Sequence, residues 1–282
     1  MSQPSTAPSD PGAQDLGHRV ALLGAGVMGE TVLAGLLRSG RPADRVVVVE
    51  KREERAAELR EKYAVRTAPA VEAVAGADVV ALVTKPQDVP AVLAEVSGSM
   101  RAGQVLVSLA AGLTTASLAA RVPEGVHVVR VMPNTPALVD EGMAVLSPGE
   151  GCSDEALAAA EALVSGTGRT LTVPEHLQDA VTAVSGSGPA YVFLVAEAMT
   201  EAGVLLGLPR VTAAELTVQT LVGASAMLRG TGENPALLRE QVTSPGGTTA
   251  AALRQLEAHG LRAAFADALV AARDRSRELA GG

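Results

Sequence analysis

The chain has 282 residues, with 23 Lys and Arg against 31 Asp and Glu, and its formal charge of −8 argues against wholesale nucleic-acid binding. At ~150 residues per domain it is long enough for two domains, and 48% apolar against 19% charged residues is a globular rather than a disordered composition. Four aromatics (Tyr63, Tyr191, Phe193, Phe265) are too few for base-stacking platforms, and the one cysteine, Cys152, excludes an intramolecular disulfide framework and a cysteine-built metal site.

Residues 1–17 are rich in Ser, Pro, Ala and Gly and hold two Asp, without a basic start or an apolar stretch, which predicts a disordered tail and not a signal peptide. No apolar run reaches the ~20 residues of a membrane span, so a soluble cytoplasmic protein with no membrane partner is the default. Arg19–Leu23 is a short apolar run ending in glycines, the pattern of a buried strand. Val32, Leu33, Leu36 and Leu37 follow at helix spacing and close at Gly40. Val46–Val49 predicts a second strand and Glu53–Lys62 a charged helix, with further strands at Asp78–Val83, Val105–Leu109 and Val126–Val131. Strands alternating with helices predict an α/β fold with a doubly wound, Rossmann-type parallel sheet.

The texture changes after about Val173. From Leu177 no strand is predicted, and Tyr191–Leu206, Ala213–Leu228 and Thr249–Leu279 (broken near Gly260) are helical patterns rich in Ala, Leu and Val. About 100 residues bury such helices poorly, which favours packing against a second copy over an ordinary helical subdomain on the sheet. The expected organisation is a tail over 1–17, a dinucleotide-binding domain over 18–176 and an all-helical dimerisation and substrate domain over 177–282.

Gly24-Ala25-Gly26-Val27-Met28-Gly29 follows the first strand and opens a helix, with Leu23 just before it. Glycines there allow a tight turn and close backbone approach, and the helix N-terminus faces pyrophosphate charge. Glu50 ends the next strand and suits a ribose 2′-hydroxyl, which leaves NADH open. Lys51 and Arg52 beside it suit a 2′-phosphate and tilt the reading to NADPH, although a charge run of this kind is also an ordinary solvated helix start. Thr84-Lys85-Pro86-Gln87 and Ala110-Ala111-Gly112 follow two more strands, where ligands of open α/β sheets bind.

Three segments stand apart. Arg130-Val131-Met132-Pro133-Asn134-Thr135-Pro136 makes a rigid loop at the ligand edge, or simply a stiff turn. Ser185-Gly186-Ser187-Gly188-Pro189-Ala190-Tyr191 opens a long helix. Val242–Thr249 has the glycines, hydroxyls and free amides of an anion-binding loop, suited to a small carboxylate. Three lysines (51, 62 and 85) leave the helical half with none, and of four scattered histidines only His176, beside Glu175, falls near a site. A ketone reductase needs an acid for the developing alkoxide. A protonated iminium already carries its charge, and hydride transfer leaves a neutral amine, so the residues suit an imine reductase better.

With these motifs the chain resembles the pyrroline-5-carboxylate reductase family from Leu23 to about Leu279, most specifically in Ala183–Tyr191 together with Ser244–Thr249. The resemblance implies NAD(P)H-dependent reduction of Δ1-pyrroline-5-carboxylate to L-proline, the last step of proline biosynthesis. It also implies a Rossmann domain and a helical domain that interlocks into a homodimer, some members forming rings of dimers. By the same resemblance the substrate carboxylate sits on Ser244–Thr249, with amides of Gly247, Thr248 and Thr249 as donors and Thr249 on the ring nitrogen as the catalytic group. Glu175 falls near the substrate, and Gln241 and Asn134 near the cofactor. Lys51 falls on the 2′-phosphate side, and Val83, Thr84, Lys85, Pro86, Leu109, Ala110 and Ala111 line the cofactor. Two departures concern the cofactor: the family's Asn is absent near Ala70-Val71, and Glu50 is more NAD-like than the usual small or polar residue. The competing readings are a β-hydroxyacid dehydrogenase, disfavoured by the missing helical-domain lysine, another imine reductase or dehydrogenase of the same plan, and a catalytically silent dinucleotide sensor.

Overall fold

The computed structural model describes residues 17–280, so the expected tail lies outside the described residues apart from Gly17. The α/β part runs β1 (Val20–Leu23), α1 (Val27–Arg38), β2 (Val46–Val49), α2 (Glu53–Tyr63), β3 (Arg66–Thr67), α3 (Ala70–Ala75), β4 (Val79–Leu82), α4 (Val89–Val96), β5 (Val105–Ser108), α5 (Thr115–Ala119), β6 (His127–Met132), β7 (Gly142–Pro148), α6 (Asp154–Val164) and β8 (Gly168–Thr172). Helices alone follow: α7 (Gln178–Val181), α8 (Gly188–Leu205), α9 (Arg210–Thr231), α10 (Pro235–Gln241), α11 (Thr248–Ala258) and α12 (Leu261–Ala280). The chain divides into two compact units, one ending at Val181 and taking back Ser276 onward, the other Thr182–Arg275.

The first unit is a single eight-stranded sheet in the order β3-β2-β1-β4-β5-β6-β7-β8. β1, β2, β4 and β5 are runs of Val, Leu and Ala with a single Ser, and sheets covered by helices on both faces select such runs. Successive side chains then serve opposite cores. Val20 and Leu22 join Val32, Leu33 and Leu36 of α1, Leu59 of α2 and Leu163 of α6. Ala21 and Leu23 join Val74 of α3 and Val92, Leu93 and Val96 of α4 on the other face. Each fully buried Leu contributes roughly 1.5–3 kcal/mol. α1 packs so closely on the turn before β8 that a Cβ on Gly35 would stand 2.9 Å from the Gly166 carbonyl.

Two strands depart from the expected parallel order. β7 pairs antiparallel with β6, and β8 runs parallel to β7. Only residues 133–141 separate β6 from β7, too few for the crossover of a dozen or more residues that a parallel partner needs. A short 3₁₀ turn, Thr135–Val139, followed by Asp140 at φ 60°, reverses the chain instead.

In the second unit, a π-helical turn at Thr182–Gly186, closed by Ser187 N–H donating to the Thr182 carbonyl (2.8 Å), leads into α8. α8 and α9 form a helical hairpin in which a Cβ on Gly203 would stand 3.0 Å from that of Ala213. Within the chain α8 buries no residue and α9 buries only Ala213 and Thr217. α9 is also the one helix among the described residues long and apolar enough to cross a membrane, with a mean hydropathy of 1.3 over the qualifying window. Run length did not reveal this, because Ala, Val and Leu are spread among polar residues along 22 positions.

Candidate active site

β1, β4 and β5 are parallel neighbours, so their carboxyl ends lie side by side. The Leu23 carbonyl accepts from Val83 N–H (2.9 Å), that of Leu82 from Leu109 N–H (2.9 Å) and that of Val49 from Gly24 N–H (3.1 Å). These ladders gather Leu23–Gly29, Glu50–Arg52, Val83–Pro86 and Leu109–Ala111 on one edge, at the switch point between β1 and β4 where open α/β sheets bind ligands.

The three glycines of the first turn differ in their reasons. Gly24 has φ +98°, and a Cβ there would stand 3.0 Å from the Val83 carbonyl oxygen. A Cβ on Gly29 would collide with the Gly24 carbonyl. Gly26 meets nothing within 4 Å, so packing within the chain does not require a glycine; room for a ligand does. Gly26 is also the N-cap of α1 and brings no side-chain cap, which leaves the helix amides to an anion. Beside Gly24, Thr84 Oγ1 is buried without a partner, a loss of roughly 1–3 kcal/mol that a ligand would recover. Open backbone, uncapped helix and orphan hydroxyl together fit a dinucleotide.

Two expected site residues of this unit have other partners. Asn134 Oδ1 accepts from Met143 N–H (2.8 Å) and so fastens the turn to β7. Glu175 accepts from Thr115 N–H (2.8 Å) and Oγ1–H (2.6 Å), and from Arg130 Nη1 at 3.4 Å. It thereby caps α5 and balances a guanidinium whose side chain is only 6% exposed, so its carboxylate is committed within the sheet unit.

The second unit holds the rest. Gln241 ends α10, and its Nε2 donates to Glu233 (3.1 Å). Ser244–Thr249 forms a turn into α11 with Gly246 at φ +69°. Gly247 N–H donates to the Ser244 carbonyl (3.0 Å), so the amide expected to hold a carboxylate is used inside the turn. A Cβ on Gly247 would crowd Ser244 Oγ, a contact that rotation of the Ser244 side chain relieves. Gly247 supplies no side-chain cap, and the amides of Thr248 and Thr249 have no acceptor among the described residues.

Comparison with known proteins identifies the family. A family model described as pyrroline-5-carboxylate reductase dimerisation matches residues 175–279, and one described as NADP oxidoreductase, coenzyme F420-dependent, matches 19–112. The chain is 44% identical to the pyrroline-5-carboxylate reductase of Corynebacterium melassecola, covering 92% of this chain and 98% of that one. It is 43% identical to that of Mycobacterium tuberculosis, over 93% and 96%. The chain belongs to the pyrroline-5-carboxylate reductase family.

Solved structures carry the same resemblance. The pyrroline-5-carboxylate reductase of Coxiella burnetii superposes with a TM-score of 0.90 at 35% identity, covering 93% of this chain and 98% of that one. The Plasmodium falciparum pyrroline carboxylate reductase, solved with NADP bound, gives 0.82 at 25% identity over 95% and 100%.

One cluster in this member of the pyrroline-5-carboxylate reductase family went unread in the sequence. Glu30, in the first turn of α1, accepts from Lys62 Nζ (3.0 Å), Tyr63 Oη (2.9 Å) and the Arg55 guanidinium. Arg55 Nε also reaches the Ala25 carbonyl (3.4 Å), which ties α2 to the glycine turn. Burial opposes the charge on Glu30, but the bonds from Lys62, Arg55 and Tyr63 outweigh it and bring the carboxyl down to about 2. The partners lie 25 to 33 residues away, beyond any local spacing signal.

Proposed function

We propose that the protein reduces the C=N bond of Δ1-pyrroline-5-carboxylate with NADPH, giving L-proline, as a soluble cytoplasmic homodimer. The observation that carries the reading is the glycine turn, with Gly26 open and Gly24 against the orphan Thr84 side chain, in a chain of this family. The Gly24–Gly29 turn, Lys51 and Arg52, and the turns Val83–Pro86 and Leu109–Ala111 hold the cofactor. When bound, NADPH supplies a hydride from nicotinamide C4 to C5 of the pyrroline. The α11 N-terminus holds the substrate carboxylate through the amides of Thr248 and Thr249. The Thr249 hydroxyl oxygen accepts from the protonated ring nitrogen and orients the iminium. No strong acid is needed, since the iminium is already protonated and leaves as an amine, and positioning at ~3–3.5 Å supplies most of the rate.

The homodimer reading rests on the second unit. Phe193 and Leu194 are 67% and 65% exposed, and Leu205, Leu206 and Val211 exceed 80%. Apolar faces of this extent mark an interaction surface, and the match to a dimerisation model supports a second copy as the partner. In this reading residues 18–176 bind the cofactor, and 177–282 bind substrate and dimerise. The test is loss of reduced-nicotinamide absorbance with pyrroline-5-carboxylate, run separately with NADPH and NADH. Turnover that favours NADPH is the expected result. Cofactor binding without turnover of any cyclic imine would turn the reading into a dinucleotide sensor.

A further inference from the structure

An acid at the end of the second strand of a dinucleotide fold ordinarily accepts from ribose hydroxyls and marks NADH. Glu50 stands at that position and is otherwise engaged. Its Oε1 accepts from Arg52 N–H (3.0 Å) and from Arg52 Nε–H (3.2 Å). The Glu50 side chain is 10% exposed while that of Arg52 is 70% exposed. Burial opposes the charge on Glu50, but the bonds from Arg52 outweigh it and hold the carboxyl below its ordinary range, so the carboxylate stays charged against its partner.

A guanidinium anchored at Nε presents its two terminal nitrogens on another edge, and that edge is the fork that phosphate oxygens accept bidentately. Neither Nη of Arg52 has a partner among the described residues, and neither does the Lys51 ammonium. The other cations nearby are committed: Arg55 to Glu30 and Glu58, Arg60 to Glu53 and Thr67, Lys62 to Glu30. The strand end carrying the pair is fastened to the glycine turn by the Gly24–Val49 bond. We propose that Glu50 is a positioning residue of an NADPH pocket: it anchors Arg52 at Nε so that the Nη edge, with Lys51, grips the 2′-phosphate. This rests on the dinucleotide reading of the site given above.

The two roles for Glu50 predict opposite signs. A carboxylate that only faces the ribose repels a 2′-phosphate, so its removal tightens binding. A carboxylate that positions Arg52 weakens binding when removed. The experiment is calorimetric titration of the full chain with adenosine 2′,5′-bisphosphate and with 5′-AMP, for wild type, Glu50→Ala, Arg52→Ala and the double variant. Arg52→Ala is expected to lose roughly 10–100-fold for the bisphosphate. Glu50→Ala is expected to lose about 3–30-fold and to cost nothing further once Arg52 is gone. 5′-AMP should change less than about twofold throughout, which also reports that the variants are folded.

Unchanged or tighter bisphosphate binding by Glu50→Ala overturns the proposal. So does an equal loss in the Arg52→Ala background, or a parallel loss of 5′-AMP. A wild-type chain that binds neither nucleotide overturns the dinucleotide reading beneath it. A wild-type chain that prefers the bisphosphate while the variants fail the cycle leaves that reading intact and removes only the role of Glu50.

Discussion

The two units of this chain are built from the same small apolar residues and use them differently. In the sheet unit, Val, Leu and Ala alternate across strands and find helices on both faces, so two cores close within one chain. In the helical unit, α8 and α9 carry much the same residues and bury almost none of them within the chain. A strand run has two fixed faces and needs a layer on each, which neighbouring helices of the same chain supply. A helical hairpin spends one stripe on its own partner and leaves the remainder for another molecule. The first unit thus closes its cores within the chain, whereas the second leaves its apolar faces exposed.

The largest test of this contrast is a cavity in the sheet unit. Leu22 is fully buried between α1 and the strands, and Leu22→Ala is expected to cost about 2–5 kcal/mol at any protein concentration. Hydrogen exchange read peptide by peptide should show the loss across β1, β2 and β4. A loss that shrinks at high concentration would mean that the first unit also leans on association.

Phe193→Asp on α8 should produce the complementary result. It places a charge on the exposed apolar face and is expected to weaken the proposed dimer by about 2–4 kcal/mol, shifting the mass in solution toward the monomer. Exchange in β1–β6 should not change. A dimer that survives the charge would move the interface off this face. Thr249→Ala comes next. It should lower kcat/KM by roughly 10–1,000-fold without altering the melting of either unit. Kinetics like the wild type would remove the Thr249 hydroxyl from the reaction.

The elements legible in the sequence were those with a strong local signature. Val20–Leu23 and Val46–Val49 are unbroken apolar runs, and α8 and α9 are long stretches rich in Ala, Leu and Val. β8 has one apolar residue in five, Leu171, and that side chain is 58% exposed at the sheet edge, so no pattern announced it. β7 was hidden because its direction is set by the length of the preceding turn and not by its own residues. The glycine turn and the Ser244–Thr249 turn were legible as motifs. The partners of Glu175 and Asn134 were not, because Thr115 and Arg130 lie 60 and 45 residues from Glu175 and meet it only through the sheet order. The use of the Gly247 amide was equally hidden, since a motif gives the residue types and not which amide closes the turn.

The smallest expected effect belongs to Glu30, and it separates the units by pH. Its folded carboxyl sits at about 2 against an ordinary value of 4.5. A carboxyl lowered by folding adds stability above its unfolded value and loses it as pH falls toward the folded one. The contribution is therefore full above about pH 5 and fades between 4.5 and about 2. Glu30→Gln keeps the shape and removes the charge, leaving Arg55 and Lys62 without their shared carboxylate. The cost at pH 7 should be ~1–3 kcal/mol, toward the lower end because the cluster is partly exposed and screened. It should appear in exchange of α1 and α2, which the cluster joins, and not in α8 or α9. Wild type and variant should converge only as the pH is brought down to about 2 and below. A gap that persists there would assign the stabilisation to packing around Tyr63 rather than to the charge on Glu30.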